Sequence, residues 1–118
     1  MMALSLPAAA TETIVCSNGD RASISVLLGA MDVIAVVKVD IEASGKNWST
    51  AGEGASRITV GQAFETADQM LIDLTDENLN QIVAQLRLFK ASEAEDHVAA
   101  GTLRIVGAGA FAVTCEGP

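Results

Sequence analysis

The chain has 118 residues, half of them hydrophobic and 19% charged, which fits one globular domain and excludes a disordered chain. Fifteen acidic and seven basic side chains give a formal net charge of −8, which argues against nucleic acid or an anionic membrane surface as a partner. Only 3% of the residues are aromatic and no apolar run approaches the roughly 20 residues of a membrane-spanning helix, so we expect neither a base-stacking surface nor a membrane span.

The first ten residues, Met1 to Ala10 (MMALSLPAAA), are apolar and end in small side chains. Ala8 and Ala10 form the A-x-A pattern that signal peptidases recognise, with cleavage expected before Thr11. Because a basic start is missing, we interpret residues 1–10 as the remnant of an export signal whose true start lies upstream, or alternatively as a disordered N-terminus. Residues 11–118 are then one β-domain with a periplasmic or secreted location.

The two cysteines, Cys16 and Cys115, lie near opposite ends of the predicted mature chain. Their wide separation and the absence of a C-x-x-C pattern favour a structural disulfide over a redox or zinc site. Such a bridge would close a loop of about 100 residues and stabilise the domain by roughly 4–5 kcal/mol. The alternative is a pair of buried free thiols in a cytosolic protein.

Alternation of apolar and polar side chains predicts strands through the first half of the chain. A strand from Thr11 to Cys16 meets the hairpin signal Asn18-Gly19, and a second strand runs through about Leu28. Val33 to Ala43 is the clearest strand, with Lys38, Asp40 and Glu42 on its polar face. A turn at residues 44–47 then leads to a return strand.

The return strand begins at Trp48, the only tryptophan of the chain. A lone tryptophan beside a turn is a candidate binding anchor, and a half-buried core position is the alternative. Asn47-Trp48-Ser49 also matches the acceptor pattern for N-glycosylation, which matters only in a eukaryotic secretory route.

The middle of the chain contains two predicted strands and one predicted helix. Arg57 to Val60 and Met70 to Thr75 are the strands. Asp76 and Glu77 are typical of a helix start, and apolar residues follow at helical spacing, namely Leu79, Ile82, Val83 and Leu86. We predict a short helix from Glu77 to Val83 and then a strand, because residues 85–90 alternate; a helix to Lys90 is the alternative.

The last third of the chain consists of an acidic loop and two predicted strands. Ala91 to His97 (ASEAEDH) is the loop, and Thr102 to Val106 and Ala110 to Cys115 are strands around the turn Gly107–Gly109. The final strand places Cys115 on its apolar face, as the first strand does with Cys16. If these two strands are neighbours, both sulfur atoms meet on the core side.

Many short strands separated by turns predict a mainly-β fold. We expect a single-domain antiparallel β-sandwich or small barrel with one short helix. Its first and last strands are expected to be adjacent and tied by the disulfide.

Few residues are candidates for catalysis, and we predict neither a catalytic residue nor a cofactor. Gly107 to Ala112 matches G-x-G-x-x-A, but only six residues follow, too few for the helix and second strand of a dinucleotide site. His97, the only histidine, lies beside Asp96 and is interpreted as a solvated loop residue. A nucleophile–base pair would need a serine or cysteine within hydrogen-bond reach, and no serine has a G-x-S-x-G context.

Two acidic clusters are candidates for a metal site. They consist of Asp73, Asp76 and Glu77, and of Glu93, Glu95 and Asp96. Neither has the spacing of an EF-hand, and zinc would find only one histidine beside two bridged cysteines. Helix capping and a hydrated loop explain the clusters more simply, so we predict no metal site.

A poor catalytic inventory on a disulfide-tied scaffold favours a secreted or periplasmic, non-catalytic binding domain, monomeric or dimeric. Its partner is expected to be a protein or cell-envelope component of basic character, and inhibition of a basic hydrolase such as a lysozyme is one form of this function. A structural or assembly subunit of the cell envelope that associates through sheet edges is the main alternative. A small hydrolase or isomerase that uses buried carboxylates is a third.

Overall fold

A computed structural model describes residues 12–29, 34–52 and 54–117, and every regular element in them is a β-strand. Residues 1–10, interpreted above as the remnant of an export signal or a disordered N-terminus, lie outside the described residues. So does Val33, the predicted start of a strand. The ten strands are β1 (Glu12–Asn18), β2 (Ala22–Gly29), β3 (Ala35–Ala43), β4 (Lys46–Ser49), β5 (Ser56–Arg57), β6 (Thr59–Glu65), β7 (Gln69–Thr75), β8 (Ile82–Glu93), β9 (Asp96–Ile105) and β10 (Gly109–Glu116).

All ten strands belong to one sheet in the order β5-β4-β3-β2-β1-β10-β9-β8-β7-β6. Every pairing is antiparallel except that of β4 with β5, which is parallel. The two edge strands, β5 and β6, are separated in sequence only by Ile58, whose amide donates a hydrogen bond to the Ser49 carbonyl at 3.1 Å. The chain itself therefore carries the sheet from one edge to the other, which gives a nearly closed, barrel-like fold.

The interior of the sheet is one aliphatic core. Apolar side chains at alternate strand positions are buried and form a single cluster, with Phe111 as its only aromatic member that is fully inside. Burial of each valine, leucine, isoleucine, methionine or phenylalanine side chain of this cluster contributes about 1.5–3 kcal/mol relative to exposure. The core members are Ile14, Cys16, Ala22, Ile24, Val26, Val39, Ile41, Ala43, Ile58, Met70, Ile72, Leu74, Ala84, Leu86, Leu88, Leu103, Ile105, Phe111 and Val113.

The pairing of β1 with β10 joins the first strand to the last and confirms the predicted disulfide. Cys16 stands directly opposite Cys115 in the register, and their sulfur atoms are bonded at 2.07 Å. Only three residue pairs hold this seam, whereas β1 and β2 share seven. Among the pairings between long strands, that of β1 with β10 has the fewest residue pairs, and the bridge reinforces it. The bridge is compatible with an extracellular or periplasmic location.

The strands define two ends of the molecule. At the upper end, short connections join β1 to β2 (residues 19–21), β3 to β4 (44–45), β7 to β8 (76–81) and β9 to β10 (106–108). At the lower end lie the first residues of β1, β3, β7 and β9 and the last residues of β2, β6, β8 and β10. The predicted turns at Asn18-Gly19 and Gly107–Gly109 are thus both confirmed at the upper end.

The predicted short helix from Glu77 to Val83 is wrong, because these residues form a turn and the start of β8. The Asp76 carboxylate accepts a hydrogen bond from the Asn80 amide at 2.8 Å, and the Asp76 carbonyl accepts one from the Leu79 amide at 3.1 Å. Leu79 has a left-handed backbone, with φ of 61°, and is exposed. Pairing with β7 decides the outcome, since it buries the alternating Ala84, Leu86 and Leu88.

The predicted loop from Ala91 to His97 is also wrong in its conformation. Strand β8 continues to Glu93, a two-residue turn at Ala94 and Glu95 follows, and β9 begins at Asp96. The cross-strand register from Lys90↔Ala99 to Glu93↔Asp96 supplies backbone partners that the sequence pattern did not suggest. The acidic segment is therefore the tip of a long hairpin.

Candidate binding site at the lower end

The hairpin of β8 and β9 extends beyond the rest of the sheet. Strand β7 pairs with β8 only as far as Phe89, and β10 pairs with β9 only from Ala100 onward. Residues 90–99 therefore form a two-stranded projection, here called the finger. Its base is held by a hydrogen bond from the Lys90 amide to the Asp68 carbonyl at 2.9 Å.

Beside the finger, the lower end opens into a cavity of about 930 Å³. Its floor is aliphatic, formed by Ile14, Leu28, Ile34 and Met70. These residues come from β1, β2, the residue before β3, and β7, where the rows of core side chains reach the lower end. The cavity therefore lies where the packed core ends, at the lower end of the molecule.

Polar side chains surround the opening of this cavity. They are Glu12, Glu65, Lys90, Ser92, His97 and Glu116. The Lys90 ammonium contacts the Glu65 carboxylate at 2.6 Å, so the one lysine of the rim is already paired. Glu12 and Glu116 have no ion pair or side-chain hydrogen bond among the described residues.

The charge of the described residues is concentrated at this end. The lower end carries seven carboxylates and one lysine, which give a formal net charge of −6 with His97 counted as neutral. The charged residues are Glu12, Glu65, Asp68, Glu93, Glu95, Asp96, Glu116 and Lys90. The remaining described residues carry six carboxylates and six basic side chains, which balance. Two ion pairs join these groups, between the Arg87 guanidinium and the Asp73 carboxylate at 2.8 Å and between the Lys38 ammonium and the Asp40 carboxylate at 3.7 Å. Among the described residues, the lower end is therefore strongly acidic and the remainder is neutral.

The finger brings Ser92 and His97 together, a pair that sequence reasoning missed. The Ser92 hydroxyl oxygen lies 2.8 Å from Nδ1 of His97, and the two residues face each other across the hairpin. A serine nucleophile also needs its base oriented by a third group, and no hydrogen bond to Nε2 of His97 is found among the described residues. The contact therefore has the character of a cross-strand hydrogen bond on an exposed hairpin. A two-residue turn at Ala94 and Glu95 is the signal that would have placed these residues opposite each other.

Trp48 lies away from the lower end. It is half-buried on β4, stands opposite Ile41 in the register and packs against the core. Next to it, the Ser49 hydroxyl donates a hydrogen bond to the Asp40 carboxylate at 2.6 Å. A role for Trp48 as a binding anchor stays a prediction.

The two acidic clusters have different structural roles. Asp73 pairs with Arg87 and Asp76 closes the β7–β8 turn, whereas Glu93, Glu95 and Asp96 form the tip of the finger. Within residues 12–29, 34–52 and 54–117, no group of three or more His, Cys, Asp or Glu side chains is arranged to hold a metal ion. The carboxylates of the tip are all exposed.

Comparison of the sequence with protein-family models and with curated proteins found no match, and no solved structure matched the fold. Among the described residues, no helix is long and apolar enough to cross a membrane. The function of the lower end is therefore inferred from its own geometry and charge.

Proposed function

We propose that this protein is an exported, non-catalytic binding domain that binds a basic protein partner through its lower end. The concentration of net charge at that end carries the proposal. A field of one sign that is confined to one face steers an oppositely charged partner to that face and raises the association rate. Among the described residues, acidic and basic side chains outside the lower end balance, so they form no competing concentration of net charge.

Exposed apolar side chains at the same end support a protein partner. Phe64 and Phe89 lie on the outer side of the sheet near the lower end, where Phe89 is 68% exposed, and Val98, which is 65% exposed, lines the cavity. Two of the three phenylalanines of the chain are thus at the surface, whereas the third, Phe111, is in the core. Aromatic side chains are enriched in protein interfaces, where an apolar centre is combined with a polar rim.

The shape of the finger favours inhibition of a basic hydrolase, such as a lysozyme, as the form that this binding takes. A two-stranded hairpin is narrow enough to enter a cleft. It presents Glu93, Glu95 and Asp96 at its tip, while the Ser92–His97 hydrogen bond and the Lys90–Glu65 ion pair hold its sides. Negative charge on such a tip complements the basic cleft surface of a cationic enzyme.

The disulfide and the A-x-A pattern at Ala8 to Ala10 support a periplasmic or secreted location for this function. Both belong to proteins that pass through an oxidising compartment. Basic hydrolases that attack the cell envelope act in the same compartments, so an acidic binding domain would meet its partner there.

Assembly through a sheet edge is the second candidate function. Strand β4 pairs with β3 only at residues 40–43, so the edge of β3 at residues 35–38 has no partner strand on that side within the part of the chain that the structure describes. An open edge is a template for strand addition from another chain. Growth of oligomers with concentration in size-exclusion chromatography would favour assembly, and a constant monomer or dimer would favour the binding domain.

The binding proposal is tested with a basic lysozyme as the probe, by measuring association rates with the intact chain. Removing the tip charges in Glu93→Gln, Glu95→Gln and Asp96→Asn together is expected to slow association by about tenfold at low salt. The matched control removes three carboxylates outside the lower end, in Asp20→Asn, Glu42→Gln and Glu77→Gln, and is expected to change the rate far less.

Equal losses in both triple variants would show that only the total net charge matters and would contradict a binding site at the lower end. Absence of both binding and inhibition in the unaltered protein would contradict a lysozyme as partner. Raising the salt concentration should reduce the difference between the two variants, because screening weakens interactions between exposed charges.

A further inference from the structure

We propose that the cavity at the lower end receives a lysine side chain of the basic partner. This inference rests on the proposed function and names the group that the site recognises. A lysine side chain combines an aliphatic stem with a compact terminal ammonium. The cavity presents the matching surfaces, an aliphatic floor and an acidic rim.

The floor is suited to an aliphatic stem. Leu28 and Ile34 are partly exposed to the opening, so both offer apolar surface to a ligand, while Ile14 and Met70 close the bottom. His97 is the only ring-bearing side chain among the described residues that line the cavity. A stacked planar ligand therefore lacks an aromatic platform, whereas the methylene groups of a lysine stem are stabilised when the aliphatic floor removes them from water.

The rim is suited to a single ammonium group. Glu12, Glu65 and Glu116 stand on three different strands around the opening, and Lys90 offsets one of their charges, so the rim has two negative charges in excess. Carboxylates spread around an opening fit a point charge with three rotatable donors. The planar fork of an arginine prefers one carboxylate that it meets edge-on.

Rim and floor together predict which ligands are rejected. An uncharged side chain of the same length gains only the apolar contact and leaves the carboxylates hydrated. A short cation gains only a screened attraction at an exposed rim. Recognition therefore needs both parts of the lysine side chain at once.

The test uses the isotopically labelled full chain in NMR titrations with Nα-acetyl-lysine methylamide as the probe. The uncharged Nα-acetyl-norleucine methylamide is the matched control ligand, and the arginine analogue is a second. Lysine is expected to shift the amide signals of Gly29, Ala67, Ala99 and Gly117, which line the cavity, and to leave Gly19 and Gly45 at the upper end unchanged. Norleucine is expected to bind about tenfold more weakly, because it lacks the charge.

Two variants separate the cavity from the general acidity of the lower end. Glu12→Gln with Glu116→Gln removes two exposed rim carboxylates that have no partner among the described residues, and it is expected to weaken the lysine shifts at least several-fold. The tip variant Glu93→Gln, Glu95→Gln and Asp96→Asn is the control and is expected to retain them.

Equal shifts with lysine and norleucine would overturn the proposal, as would shifts that follow the finger tip and not the cavity. If the lysine probe fails while lysozyme binding still depends on the tip charges, this inference is wrong and the proposed function stands. If the probe occupies the cavity but no basic protein binds, the proposed function is wrong while the site remains.

Discussion

The upper and lower ends of the sheet are built by the same strands, but they differ in how those strands finish. At the upper end, four short connections close adjacent strands, and local hydrogen bonds such as that from the Arg21 amide to the Asn18 carbonyl hold them. At the lower end, the strands stop at different levels, a hairpin projects beyond them, and a cavity opens beside it. Among the described residues, the excess of acidic over basic side chains also lies at the lower end.

This difference indicates that the two ends of the strands have different roles. Aliphatic packing in the middle and turns at the upper end hold the fold, so the lower end is free to carry unpaired charge and exposed phenylalanines. Like charges that lie close together destabilise a folded chain through mutual repulsion. A domain tolerates that cost where its charges face a partner, which is the arrangement that we propose for the lower end.

The largest expected effect comes from removing the covalent link between β1 and β10. In Cys16→Ala with Cys115→Ala, three residue pairs would hold this seam without the bridge, and we expect the free energy of unfolding to fall by roughly 4–5 kcal/mol. Urea unfolding of the variant, and of the unaltered protein with and without a reductant, measures the change. An unchanged midpoint would mean that the seam is stable without its bridge.

The base of the finger should be the next most sensitive place. Gly101 stands opposite Leu88 in the pairing of β8 with β9, and a Cβ there would overlap the Arg87 carbonyl oxygen and lie 2.9 Å from the Leu88 Cα. We expect Gly101→Ala to force the strands apart and to cost about 2–3 kcal/mol, because the obstructing atoms belong to the backbone.

Thermal unfolding checks this value, with Thr102→Ala as the control, since Thr102 is exposed and adjacent on the same strand. Hydrogen exchange of the finger amides adds a local measurement. Faster exchange throughout residues 90–99 in Gly101→Ala would show that the finger depends on this close approach. Equal stability of both variants would show that β8 and β9 can separate at no cost.

Most of the sheet could be predicted from the sequence because its strands bury alternate residues. The pattern of β2 and of the second half of β3 is visible as single apolar side chains between polar ones, and β7 is visible as a mostly apolar run. The positions of Cys16 and Cys115 on two apolar faces predicted that β1 and β10 are neighbours. The segment from Leu79 to Leu86 misled the interpretation, since its apolar spacing suits a helix as well as a strand. Only its pairing with β7 distinguishes the two.

The candidate site was much less predictable. Glu12, Glu65 and Glu116 are far apart in the sequence, and only the order of the strands brings them to one rim. The finger is polar or exposed on both sides, so no apolar alternation indicated that residues 91–97 are strand and turn. The sequence did show the total acidity, and from it a basic partner was expected, but the location of the charge required the fold.

The smallest expected effect concerns the upper end, at Leu79 in the β7–β8 turn. A leucine with φ of 61° is strained by its Cβ, and its side chain is 61% exposed, so little burial would be lost by replacing it. We expect Leu79→Asn to raise the free energy of unfolding by about 0.5 kcal/mol, because asparagine tolerates this backbone region. Alanine also has a Cβ but lacks the short polar side chain with which asparagine hydrogen-bonds locally, so Leu79→Ala keeps the strain and serves as the control that should not gain stability.

Chemical denaturation measures both Leu79 variants, and lysozyme association measured on the same proteins relates the result to the two ends. Because the turn lies at the opposite end from the finger and the cavity, the association rate should be unchanged in Leu79→Asn. A change in association would show that the upper turn influences the lower end, so that holding the fold and binding a partner are not separated along the strands.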